Sequence, residues 1–166
     1  MFRKSITIRD GQYTSARQKI LWLPELKLDE SDKEALLAPT GWLSGNLINA
    51  AQVLLKKQFS NLSAGLQGVE LGLVMNFKIP GCEFLQILHS PPNHWVTVST
   101  IGIQDTSTII LFDSKYKTVP TSLQAQIAAL LRTDCDKIVV RVMNVQNQVC
   151  VYFVLASYKF MFVLSL

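Results

Sequence analysis

The chain has 166 residues, 49% of them hydrophobic and 17% charged, which is ample apolar material for one buried core and short for two. Its formal net charge of +4 is spread along the sequence, with only Arg3-Lys4 and Lys56-Lys57 adjacent, so no basic footprint for nucleic acid stands out. Cys82, Cys135 and Cys150 are odd in number, far apart, and not interleaved with His89 or His94 at ligand spacing, which argues against a disulfide scaffold and a zinc site.

The first stretch, "MFRKSITIRD", lacks the apolar run of a secretory signal, so an intracellular protein of the nucleus or cytoplasm with reduced thiols is expected. Residues 1–30 show little periodicity and read as an N-terminal extension, with residues 31–166 as the domain. In "SDKEALLA", Ser31 is placed to cap a short helix, and Glu34 completes a capping box. The helix stops at "PTG". In "GWLSGNLINAAQVLLKKQF" apolar residues recur at helical spacing behind a cap at Ser44, which predicts a helix over 44–58.

The middle changes character. "LGLVMNF", "EFLQIL", "HWVTVSTI" and "TIILF" are β-branched and aromatic runs separated by "PGC", "SPPN" and "QDTS", and they predict strands of one sheet. "TSLQAQIAALLRT" returns to helical spacing through Leu123, Ile127, Leu130 and Leu131, and "KIVVRVM" predicts a further strand. The last segment, "VCVYFVLASYKFMFVLSL", is nearly continuous apolar sequence interrupted by Lys159. It reads as a buried core helix, with a membrane span as the minor alternative. The order of elements predicts an α+β domain with a central, mostly antiparallel sheet and helices packed on it.

Within that sheet a histidine heads one strand and an aspartate ends the next. A turn around Gln104 to Ser107 centres the hairpin near residue 104 or 105, which puts His94 opposite a position near 115 and Asp113 on its diagonal. A carboxylate within reach of an imidazole fixes its tautomer and stabilises the imidazolium, as a general base requires. Ordinary turn chemistry at a strand end is the other reading of the same two residues.

Three motifs in order decide between these. "WLSGNLINAAQVLL", "HWVTVSTIGIQDTSTIILFDS" and "VQNQVCVYFVLA" resemble the WLNDxxI helix, the HW and DS strands and the Q…DCGxFxxA segment of the SUMO-specific and adenain-like cysteine proteases that process ubiquitin-like modifiers. The resemblance implies a papain-related fold with His94 as general base, Asp113 as its orienter, Cys150 as nucleophile and Gln148 as oxyanion donor. It makes Trp42 and Trp95 the walls of a slot that admits only a diglycine tail. It implies a ubiquitin-like protein or its conjugate as partner and no cofactor. Without the family, Trp42 and Trp95 read equally as core aromatics, Gln148 as a surface amide and Cys150 as a small core residue.

The sequence departs from the family pattern at the chemistry. Only Val149 separates Gln148 from Cys150, where the pattern leaves five residues, and Val151 stands where it has glycine. Gln146 is a second candidate donor, and Gly45 replaces the aspartate of WLND. The domain therefore reads as a degenerate or C-terminally truncated copy. A cysteine peptidase cutting after diglycine, an impaired module that still binds the modifier, and a small membrane-associated protein held by residues 149–166 are the three functions in play.

Overall fold

The computed structural model describes residues 20–60, 64–113, 115 and 118–144. The β-branched runs behind the turn signals form a sheet of four strands in chain order: β3 (Leu85–Ser90), β4 (His94–Ser99), β5 (Thr108–Asp113) and β6 (Val139–Asn144). Short turns make the first two pairings antiparallel, whereas β6 follows a helical crossover and pairs parallel to β5. Both faces of the sheet are covered. Leu88, Val96, Val98, Ile109 and Leu111 pack against Leu123, Ile127 and Leu130 of the crossover helix, which is α3 (Thr121–Leu131). On the opposite face Leu85 and Ile87 meet Leu55 and Ile48 of α2 (Gly45–Gln58). Double coverage is why the strands read as near-continuous apolar runs. The α+β expectation, with its mostly antiparallel sheet, holds.

The helix over 44–58 is also where its periodicity put it. Ser44 accepts a hydrogen bond from the Leu47 N–H at 3.2 Å, and Lys56 and Lys57 sit in its last turn, where cations complement the carbonyl end. The preceding helix, α1 (Glu30–Leu37), is capped differently from the expectation. Asp29, not Ser31, is the N-cap: its carboxylate accepts from the Asp32 N–H, and the Asp32 carboxylate accepts from the Asp29 N–H. A carboxylate at that position also takes the Ser31 hydroxyl hydrogen and favours the positive end of the helix, so it prevails over the serine two residues later.

Residues 21–29, read from sequence as part of the extension, fold onto the helices. Leu21–Leu23 (β1) and Leu28–Asp29 (β2) form a small antiparallel pair, and Leu28 is buried with Leu47 and Ala50 while Trp22, Leu23 and Leu26 pack beside them.

"LGLVMNF" is not a strand. Val69–Gly72 forms a single 3-10 turn, and Met75 has a left-handed backbone, φ 52°. Gly72 lies so close to α3 that a β carbon there would sit 2.3 Å from Gln126 Oε1. The run's backbone donors find local carbonyls instead: the Leu71, Leu73 and Met75 N–H groups donate to the carbonyls of Gly68, Glu70 and Gly72, and the Asn76 N–H donates to that of Leu71. Strand propensity yields to these turns and to the close packing of Gly72 on α3. The apolar segment 149–166 lies outside the described residues, and among the described residues no helix is long and apolar enough to cross a membrane.

Candidate active site

His94 opens β4 and Asp113 closes β5, so the hairpin register decides whether they meet. Thr97 pairs with Phe112, Val98 with Leu111 and Ser99 with Ile110, a register centred in the turn where the sequence placed it. Extended by three residues, it sets His94 across from position 115 with Asp113 on the diagonal. His94 Nε2 lies 2.6 Å from Asp113 Oδ1, with the aspartate fully buried and the histidine side chain 14% exposed. An ionised carboxylate only accepts, so Nε2–H donates and Nδ1 is the basic nitrogen of the ring. The same Asp113 oxygen accepts from the Lys115 N–H at 2.9 Å, which fixes the carboxylate from the chain that follows it.

Topology adds a third element at this end of the sheet. Asn144, the last residue of β6, is the parallel partner of Asp113. Cys150 stands six residues further along the sequence, a reach of at most about 22 Å when extended. Gln146, Gln148 and Cys150 lie outside the described residues.

The two tryptophans differ. Trp95 is half-buried among Ile48, Val69 and Ile87, and its indole N–H donates to the Leu43 carbonyl at 2.9 Å. That bond ties the loop carrying Trp42 to the start of β4. Trp42 itself is 70% exposed, which sets aside the reading of it as a core aromatic. His89, the cross-strand partner of Trp95, lies against it with ring centroids 4.7 Å apart and planes tilted by 50°. Sequence reasoning passed over His89 and Leu43. The tight turn after Ser90 fixes the β3–β4 register, so His89 could have been found from it, whereas the Leu43 carbonyl carries no sequence signal.

Far from this end, Asp105 organises the β4–β5 turn. Hydrogen bonds from the Thr108 hydroxyl first, then from the Ser107 N–H and hydroxyl, hold its carboxyl below its ordinary value. Among the described residues no cluster of His, Cys, Asp or Glu could hold a metal ion. What the site offers is an imidazole hydrogen-bonded to a buried carboxylate, at the end of the sheet where β6 also ends.

No protein-family model and no curated protein matches this chain. Among solved structures it is similar to the SUMO protease Ulp1 with the catalytic cysteine oxidised to a sulfinic acid, at a TM-score of 0.50 and 15% identity over 91% of this chain and 82% of that one. Ulp1 with the cysteine as a sulfenic acid gives a TM-score of 0.49 at 16% identity, over 84% and 77%. The chain has a SUMO-protease-like α+β fold.

Proposed function

We propose that this domain is a cysteine peptidase or isopeptidase that cuts after the diglycine tail of a ubiquitin-like modifier. The observation that carries the reading is the 2.6 Å contact of His94 Nε2 with the buried Asp113 carboxylate, at the sheet end to which β6 delivers the chain. His94 Nδ1 takes the proton of the Cys150 thiol, and the thiolate attacks the carbonyl carbon of the terminal glycine. Gln148, or Gln146 in its place, donates to the oxygen that becomes anionic. The imidazolium then protonates the leaving amine, and water activated by the same ring hydrolyses the thioester. Trp42 and Trp95 flank the tail, and a slot between two indoles admits residues without a β carbon.

The spacing of Gln148 and Cys150 favours a second reading, in which the fold binds the modifier and turns it over poorly. One experiment separates them: the chain is incubated with SUMO and with ubiquitin, each bearing a thiol-reactive group at its C-terminus, and adducts are located by mass spectrometry. The peptidase reading expects an adduct at Cys150 that Cys150→Ala abolishes and His94→Ala slows. Binding of either modifier with no adduct supports the module, and neither binding nor adduct removes both.

A further inference from the structure

We propose that Gln126 is a positioning residue for His94: its amide holds the end of β3, and with it the turn that sets the base against Asp113. The proposal rests on the peptidase reading above. β3 is an edge strand of the sheet, so among the described residues no strand pairs the carbonyls on its outer side. Donors from elsewhere take them. The Leu66 N–H reaches the Leu85 carbonyl at 2.8 Å, Gln86 Nε2 the Ile87 carbonyl at 2.9 Å, and Gln126 Nε2 the His89 carbonyl at 2.8 Å.

The third of these donors differs from the other two. It comes from α3, whose Leu123, Ile127 and Leu130 are apolar and fully buried. Gln126 is itself only 4% exposed, and its Oε1 has no hydrogen-bond partner among the described residues. That oxygen is pressed against Gly72, where a β carbon would sit 2.3 Å away. A buried acceptor without a donor costs stability, and an apolar side chain of similar shape removes the cost. The use of the amide therefore lies in what its N–H holds.

What it holds is the last step of the ladder before the base. His89 pairs with Trp95, and Ser90, the next residue, pairs with His94. His94 alternates along β4 with Val96 and Val98, which pack toward α3, so the helix that carries Gln126 stands on the same side of the sheet as the base. On the opposite side the His89 ring lies on Trp95. One bond from α3 thus fixes the strand end against which both His94 and Trp95 are registered. Catalytic placement is sensitive at this scale, since a displacement of about 1 Å can cost about 100-fold in rate.

The test replaces Gln126 with methionine, which keeps the length and removes the amide, and reads the His94 ring of the full chain by nitrogen NMR at alkaline pH. In the unaltered chain the Nε2–H form alone is expected. In Gln126→Met the Nδ1–H form should appear beside it, the thermal midpoint should stay level or rise, and adduct formation at Cys150 with the reactive SUMO or ubiquitin should slow about 10-fold or more. Ile127→Val trims the core one position along α3 without touching the bond; it should lower the midpoint and leave the His94 ring form as it is. His94 signals in Gln126→Met that match the unaltered chain would overturn the proposal. So would a Gln126→Met chain that loses stability or fails to fold, or a ring form disturbed as much by Ile127→Val, because the amide would then be structural. The ring form is read without turnover, so an unaltered chain that forms no adduct removes the peptidase reading while the NMR still judges Gln126.

Discussion

At the scale of single residues, the contact between His94 and Asp113 is an interaction whose two halves depend on one another. The aspartate is fully buried and accepts from both the imidazole N–H and the Lys115 N–H, so its carboxylate oxygen has donors where water is excluded. Asp113→Asn keeps the volume and an acceptor for Lys115 but no longer holds Nε2 as the protonated nitrogen. Cleavage of a diglycine-tailed substrate should fall by about 100-fold or more, the scale of a mis-oriented general base, while urea denaturation shows a loss of only about 1 to 2 kcal/mol. A fall in stability with no fall in rate would mean that the pair is structural. Trp95 is held in a similarly specific way, by the Leu43 carbonyl, and an aromatic whose polar edge is bonded keeps one orientation beside His89.

At the scale of elements, the N-termini of α1 and α2 are joined through one buried carboxylate. Asp32 accepts from the Asp29 N–H of its own cap at 3.2 Å and from the Ser44 hydroxyl at 2.8 Å, and Ser44 is the cap of α2. The loop between the helices carries Trp42 and Leu43, so this bridge sets where the loop enters the site. Asp32→Ala leaves a buried N–H and a hydroxyl without their acceptor and should cost about 1 to 3 kcal/mol, read from the urea midpoint. A change below about 0.5 kcal/mol would show that water replaces the carboxylate without penalty.

At the scale of the whole molecule, the sheet gathers four strand ends on one side: the end of β3, the start of β4, the end of β5 and the end of β6. Cys150 follows the last of them with only Val149 between it and Gln148. Thiolate formation needs the histidine, whereas turnover also needs the oxyanion donor at its place. Inserting Ser-Gly-Gly-Asp between Gln148 and Val149, together with Val151→Gly, should therefore raise turnover by about 100-fold or more while the rate of Cys150 alkylation stays within a few fold. Full turnover by the unmodified chain would show that loop length does not limit the donor.

Much of this was legible in the sequence because it is local. The β4–β5 register follows from where the turn residues Gln104 to Ser107 fall, and a period of two then carries Asp113 to the diagonal of His94 without reference to any distant residue. Ser44 and the apolar spacing after it specify α2 on the same terms. Tertiary structure decided what depended on partners far along the chain. Asp32 rather than Glu34 completes the first cap, helped by Ser44 on the next helix. The run "LGLVMNF" gave up its strand propensity to tight turns and to the close approach of Gly72 to Gln126 on a distant helix, and so came to present Leu73 and Val74 to water. Trp42 lies exposed because its loop is pinned from Trp95, and β6 returns parallel because α3 carries the chain back across the sheet face. Periodicity specifies which side of an element is apolar; only the packed molecule specifies which neighbour satisfies each polar group, because that partner is chosen by proximity in space and not by spacing in sequence.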